Sequence, residues 1–221
     1  MDSATPVDLW LTAGRERVPY AVALDWMHAR SEAVRAGGPE AVALLEHAPV
    51  YTLGARAARG GLRLPEAALP APLVEADRGG DVIWHGPGQL VLYPVLRLHT
   101  RGLRVGDYVR ALEGVAIETL AKWGIEGLRV VGRPGVWVAG AKIAAVGVRI
   151  DRGVSRHGLA LNVSPDLAWF DAIVPCGIED AGVTSMAVVR GDAPALAAVA
   201  EAMAAAFAEA FEVALVEAVY A

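Results

Sequence analysis

Cysteine is almost missing from this 221-residue chain: Cys176 stands alone. No disulfide can close within it, which fits a reducing compartment. Lysine is nearly as scarce, with Lys122 and Lys142 set against eighteen arginines. Arginine stays charged and seldom serves as a base, whereas a lysine exchanges its proton once its surroundings lower its pKa. Each lysine therefore invites a question, although a solvated lysine is the ordinary case. The apolar stretches are broken by charges or glycines well short of a membrane-spanning length, and Met1 to Pro6 is not a basic region leading into an apolar run. No membrane span and no secretory signal are expected, and the expected location is the cytoplasm. A net charge of −5 lacks the basic face of a nucleic-acid binder.

Other absences narrow the chemistry. His28, His47, His85, His99 and His157 have no metal-type spacing, and one cysteine makes no zinc motif, so no metal is expected. There is no Gly-x-Gly-x-x-Gly, no phosphate loop ending in Gly-Lys-Ser/Thr, and no Gly-x-Ser-x-Gly elbow.

The patterning that is present predicts an α/β (α+β) fold in a single domain over 1–221, built on a mixed, largely antiparallel sheet flanked by helices. Strand character runs over 7–11, 41–45, 50–53, 73–76, 81–84, 90–98, 143–150 and 159–163. Helical spacing covers 20–35, opened by Pro19 and closed by Gly37-Gly38, then 105–123 and 194–208, ahead of a tail with no clear assignment. Val136 to Val138 and Ile143 to Ile150 flank Ala139-Gly140-Ala141-Lys142, which reads as a hairpin. Gly54 to Pro72 has no period and reads as a long surface loop.

Cys176 sits in Pro175-Cys176-Gly177, where proline restricts the entering backbone and glycine permits a sharp turn. Such a turn can hold a sulfur at a cavity edge near backbone N–H groups; a small buried hydrophobe is the alternative. Lys142, beside small residues, has room to reach across a pocket, or it is a solvated turn lysine. A free thiol is mostly protonated near neutrality. An ammonium nearby favours the thiolate, and burial lowers a lysine's own pKa, so such a pair can exchange a proton. The segment Arg78-Gly79-Gly80-Asp81-Val82-Ile83-Trp84-His85-Gly86-Pro87-Gly88-Gln89 lets backbone approach a ligand closely, or forms two tight turns around a core strand. His85 is either a base or an ordinary hydrogen-bonded histidine.

Several blocks occur together: 46–54, 77–89 with Tyr93-Pro94, 135–138, 142–147, 157–162, and 175–178 with Val183-Thr184-Ser185. In this order, and over most of its length, the chain closely resembles the bacterial octanoyltransferases, also called lipoyl(octanoyl) transferases. The resemblance implies a fold like the catalytic domains of biotin- and lipoate-protein ligases. It implies transfer of an octanoyl group from octanoyl-acyl carrier protein to a lysine of lipoyl domains, those of 2-oxoacid dehydrogenase and glycine cleavage proteins. Onto matching positions it carries Cys176 as acyl-thioester nucleophile and Lys142 as its acid/base partner. It places Arg78, Gly79, Gly80, Asp81, Val82, Ile83, Trp84 and His85 around the substrate, with Ala145, Val146, Gly147, Gly158, Leu159 and Ala160. Trp84, Val146 and Leu159 are candidates for the acyl tunnel. No cofactor is expected, since the incoming thioester is already activated, and a monomer is expected because two bulky partners must reach one site. The Arg- and Ala-rich 54–72 loop departs from the family pattern. Three other readings stay open: an ATP-dependent ligase on the same fold, a non-catalytic module binding carrier or lipoyl domains, and a cysteine hydrolase.

Overall fold

The computed structural model describes residues 5–55, 61–174 and 181–220. In chain order the strands and helices are β1 (Thr5–Leu11), β2 (Arg17–Val18), α1 (Tyr20–Arg35), β3 (Ala41–His47), β4 (Val50–Leu53), β5 (Leu73–Glu75), β6 (Val82–His85), β7 (Gln89–Val95) and α2 (Val105–Ala121). There follow β8 (Leu128–Val130), β9 (Arg133–Val138), β10 (Ala141–Asp151), β11 (Val154–Asn162), α3 (Met186–Arg190), α4 (Leu196–Phe211) and β12 (Val213–Glu217).

Among the described residues the main sheet has nine strands in the order β12-β1-β3-β7-β11-β10-β9-β8, with β2 pairing to β3. Its pairs are antiparallel from β3 to β8 and parallel from β12 through β1 to β3. A smaller sheet, β5-β4-β6, stands beside it.

The central strands are apolar on both faces because both faces are covered. On β3, Val42 and Leu44 enter the core beneath α2 and α4, while Ala41, Ala43 and Leu45 face α1. The same alternation runs along β7, with Leu90 and Leu92 on one side and Val91, Tyr93 and Val95 on the other. Helix α1 begins after Pro19, a residue suited to a helix start, and buries Ala23, Trp26, Met27 and Val34 against that second face. Val82 and Trp84 of β6 turn away from the main sheet and pack with Tyr51, Phe170 and Ile173.

The expected helices and central strands are present, within a few residues at their ends. The tail beyond α4 holds a strand that was not expected. β12 pairs in parallel with β1, from Thr5↔Val213 to Leu9↔Glu217, so its partner lies at the opposite end of the chain. Its outward residues are exposed, and five residues with one buried position carry little periodic signal. The described part of the 54–72 stretch is mostly exposed, with a short 3-10 turn over Glu66–Ala68.

Leu44 has no solvent exposure. Leu44→Ala is expected to lower unfolding free energy by about 2–5 kcal/mol, read from urea denaturation.

Candidate active site

The β9–β10 hairpin turns through Ala139 and Gly140, both with positive φ (49° and 83°), the twist that tight hairpins favour. Lys142 lies past this turn as the second residue of β10, at a register shift between Lys142 and Ala144. It is buried, at 5 % exposure. Its Nζ donates to the Pro134 carbonyl at 3.0 Å and stands 5.0 Å above the Trp137 ring. Both partners come from β9. Gly135 makes the approach feasible: with φ at 117°, a Cβ there would fall 2.4 Å from the Ala144 carbonyl oxygen and 3.4 Å from Lys142 Cε. The Gly135 N–H donates to Glu113 Oε1 on α2 at 2.9 Å, which fixes the strand at this point.

The backbone of Lys142 is also paired. Its N–H donates to the Gly182 carbonyl, and the Thr184 N–H donates to its carbonyl, each at 2.9 Å. Cys176 lies outside the described residues. On the other side of that stretch, the Val174 N–H donates to the Gly61 carbonyl at 2.8 Å.

Arg78, at 3 % exposure, clamps the turn that precedes β6. Its guanidinium donates to Thr52 O and Thr52 Oγ1 (2.7 Å each), Asp81 O (2.9 Å) and Gly79 O (3.0 Å). The Gly79 N–H bonds Val148 O at 3.0 Å, fastening the turn to β10. Thus Arg78, Gly79, Gly80 and Asp81 form a rigid corner from which β6 departs. Ile83 and His85 then face the main sheet, and Trp84 stacks on Trp169 at 5.6 Å on the far side of the strand.

Between β6 and the β10–β11 pair lie two small cavities. One, about 20 Å³, is lined by Lys142, Ile83, Ala145, Ala160, Phe170 and Val183, together with Val82, Gln89 and Asn162. The other, about 10 Å³, adjoins Arg78, His85, Tyr93, His157, Gly147 and Gly158. Ile83, Ala145 and Ala160 border both, so the two lie along one seam leading away from Lys142, a narrow channel whose hollows each have room for about one water. Leu159 borders the second cavity, yet it and its cross-strand partner Val146 both pack in the helical core, so neither fits the acyl tunnel expected of them. The channel brings together Lys142 and most of the expected substrate-side residues. A much larger hollow of about 790 Å³ opens elsewhere, between α1, Trp10 and Tyr220. Its described lining holds no histidine, cysteine or lysine, so chemistry favours the smaller site.

Behind the channel stands a cluster of buried rings. His47 Nδ1 bonds the Val18 carbonyl (2.8 Å), so it carries the hydrogen, and Nε2 accepts from Tyr93 Oη (3.0 Å). His157, in the left-handed region (φ 57°), bonds Asp77 Oδ1 through Nε2 at 2.7 Å, and Arg156 also pairs with Asp77. Tyr20 stacks on His85 at 6.3 Å. Burial pushes His47 down to about 4, and the neighbouring His157 adds to this against the Val18 hydrogen bond. Burial, then the charges of His47 and Arg78, hold His85 well below its usual value. Burial also lowers His157, opposed by Asp77. The hydrogen bond from His157, with Arg156 beside it, keeps the Asp77 carboxyl well below the usual carboxylate range. Burial raises the Tyr20 hydroxyl to about 12 and Tyr93 well above 10.

Sequence reasoning had given His47, Gln89 and Asn162 no role at the site. They fall within the sequence blocks quoted above, and that was the one available signal; which atoms they touch depends on strands meeting across the sheet. Among the described residues no group of His, Cys, Asp and Glu is placed to hold a metal ion. No helix among them is long and apolar enough to cross a membrane.

Comparison with known proteins agrees with this geometry. The family model for the lipoyl protein ligase A/B catalytic domain matches residues 19–208. An octanoyltransferase from Novosphingobium aromaticivorans is 50 % identical over 179 residues, covering 78 % of this chain and 79 % of that protein. One from Chloroflexus aurantiacus is 52 % identical over 174 residues, covering 76 % and 78 %. Among solved structures, a lipoate-protein ligase A bound with ATP superposes with a TM-score of 0.74 at 17 % identity, over 97 % of this chain and 89 % of that one. At that identity it shows the shared fold alone.

The histidine cluster makes stability depend on pH. His47, His85 and His157 have folded pKa values below the ordinary 6.5, so below that pH the unfolded chain binds protons that the folded chain refuses. The stability they contribute is complete above about pH 6.5 and is lost as pH falls towards the folded values, about 4 for His47. Asp77, whose folded pKa is depressed, adds a further loss once pH drops below 3.8. The melting temperature is expected to fall steadily from pH 6.5 to 4.5. In His47→Gln the fall should be shallower; an equal slope in the two proteins would contradict the assignment.

Proposed function

The chain belongs to the octanoyltransferase family, and from that premise we propose that it transfers the octanoyl group through a thioester on Cys176, with Lys142 handling the proton. The donor is octanoyl-acyl carrier protein. The acceptor is a lysine of a lipoyl domain, as found in 2-oxoacid dehydrogenase and glycine cleavage proteins. In this reading the protein acts as a monomer in the cytoplasm.

Transfer proceeds in two steps. Lys142 takes the proton of the Cys176 thiol, and the thiolate attacks the carbonyl carbon of the donor thioester. The bond to the carrier's sulfur breaks, and the departing thiolate receives the proton back from Lys142. The acceptor lysine, as a free amine, then attacks the acyl-enzyme. A C–N bond forms, the bond to Cys176 sulfur breaks, and the amine's surplus proton passes through Lys142 to the released thiolate. Backbone N–H groups near the reacting carbonyl lower the cost of its negative charge. The chain of the octanoyl group enters along the seam past Ile83, Ala145 and Ala160, which widens to admit it. Side chains closing that channel exclude water, which would otherwise hydrolyse the thioester. Arg78 and its turn hold β6, the wall that carries Ile83 and His85.

One observation carries this reading. Lys142 is buried at the mouth of the channel, and its backbone pairs on both sides with Gly182 and Thr184, which follow closely on the segment containing Cys176. An adenylate-forming ligase on the same fold would need no cysteine nucleophile, and its transfer would depend on ATP.

Incubation with octanoyl-carrier protein, followed by intact-mass spectrometry, should show one octanoyl group added. Cys176→Ser should show none under the conditions that label the wild type. An unlabelled wild type under turnover conditions would refute the covalent mechanism. Lys142→Ala should fold normally yet acylate roughly 100-fold or more slowly near neutrality. Acylation at the wild-type rate would remove Lys142 from the mechanism.

A further inference from the structure

A line of buried side chains crosses the floor of the channel and ends beside Lys142. The Thr184 carbonyl accepts from Asn162 Nδ2 at 3.0 Å. Asn162 Oδ1 accepts from Gln89 Nε2 at 2.9 Å, and Gln89 Oε1 meets His85 Nδ1 at 2.7 Å. Gln89, Asn162 and His85 are 2 %, 5 % and 4 % exposed, so water does not substitute for these partners. At the far end, the Thr184 N–H donates to the carbonyl of Lys142, whose own N–H donates to Gly182.

The direction of this line is set at one end. A carbonyl oxygen can only accept, so Asn162 must turn its NH₂ towards Thr184 and its oxygen towards Gln89. Gln89 must then donate to Asn162, which turns its own oxygen towards His85. A carbonyl-type oxygen facing His85 Nδ1 requires that nitrogen to carry the hydrogen. Gln89 Nε2 also lies 3.4 Å from the Trp84 carbonyl, consistent with the amide facing that way. Burial keeps the imidazole neutral, so Nε2 of His85 is left with a free lone pair. A backbone carbonyl next to Lys142 thus dictates, through two amides, which nitrogen His85 offers as acceptor.

We propose that Gln89 and Asn162 are positioning residues for the transfer reaction: their one-way hydrogen-bond relay locks His85 as the Nδ1–H tautomer and holds the Gly182–Thr184 edge against Lys142. Neither residue touches the reacting atoms in this account. They act by fixing the channel wall at one end and the proton-handling lysine at the other, so that both keep one geometry during acylation and transfer. The kinetic consequence rests on Lys142 being the proton partner; the tautomer of His85 does not.

The test pairs spectroscopy with kinetics. Long-range ¹H–¹⁵N spectra of histidine-labelled protein, with the His85 signals assigned by their loss in His85→Gln, should show a protonated Nδ1 and a bare Nε2. Asn162→Leu removes the donor to Thr184 and frees the Gln89 amide to turn. It should convert His85 to a tautomer mixture and lower kcat roughly 10- to 100-fold, with KM for octanoyl-carrier protein nearly unchanged. Gln89→Glu, of nearly the same shape, still accepts from His85 but cannot donate to Asn162. It should keep the Nδ1–H tautomer and still lose kcat, and it decides the question if Asn162→Leu fails to fold. A wild-type His85 spectrum in Asn162→Leu, or a wild-type kcat in either folded variant, would overturn the proposal. The Cys176 adduct experiment reads the covalent mechanism independently, so the failure of one is not confused with the failure of the other.

Discussion

The head group of Lys142 has to be satisfied where only 5 % of the residue reaches solvent, and much of the surrounding chain is arranged to meet that demand. An amine that takes up a proton in such a place becomes a costly buried cation unless dipoles replace its water. Here β9 supplies them, through the Pro134 carbonyl and the face of Trp137. While the proton is held there, a charge-assisted hydrogen bond contributes about 1.5–3 kcal/mol, and a desolvated cation–ring contact up to about 2 kcal/mol. Antiparallel pairing brings β9 alongside, the glycine at 135 leaves space for the lysine stem, and Glu113 on α2 ties that glycine down. The lysine's position therefore depends on both the helix and the hairpin. A flexible surface lysine of the same charge would gain none of these contacts and would have no defined position relative to a substrate.

A second constraint lies on the α1 side of the sheet. Three histidines are packed neutral, and each ring has one nitrogen committed as donor, to the Val18 carbonyl, to Gln89 or to Asp77. Committed donors make the rings fixed walls rather than mobile bases. Such rigidity suits the path proposed for the octanoyl chain. Lys142 and the His85 wall are thus separated in space yet joined through backbone and amide hydrogen bonds. The same fold supports ATP-bound ligases, so architecture alone does not select the reaction. Identity to octanoyltransferases of about half of all aligned residues does.

Much of the fold was legible in the chain because its signals are local. Helix α1 runs over the residues its apolar spacing predicts, starting after Pro19. Residues 41–45 of β3 and 90–95 of β7 are apolar throughout because helices cover both faces of the sheet there. The β9–β10 hairpin follows from Gly140, which suits a tight turn, although Ala139 is held at a positive φ beside it. β12 was missed since its pairing partner sits some two hundred residues away and three of its five residues are exposed. Lys142 was expected at the turn, whereas it stands as the second residue of β10 and is buried, which leaves the solvated reading aside.

For the lone cysteine and the rare lysine, the residues by themselves left structural and chemical readings open, and the ordered set of motifs resolved the family and the reaction class. Those properties are written in residue identity and spacing, which survive without coordinates. The partners of the lysine, the neutrality of the histidines and the roles of Gln89 and Asn162 were decided only by tertiary structure. Hydrogen-bond direction and desolvation depend on which atoms face one another across paired strands. His85 and Asn162 are 77 positions apart in the chain, yet Gln89 bridges them.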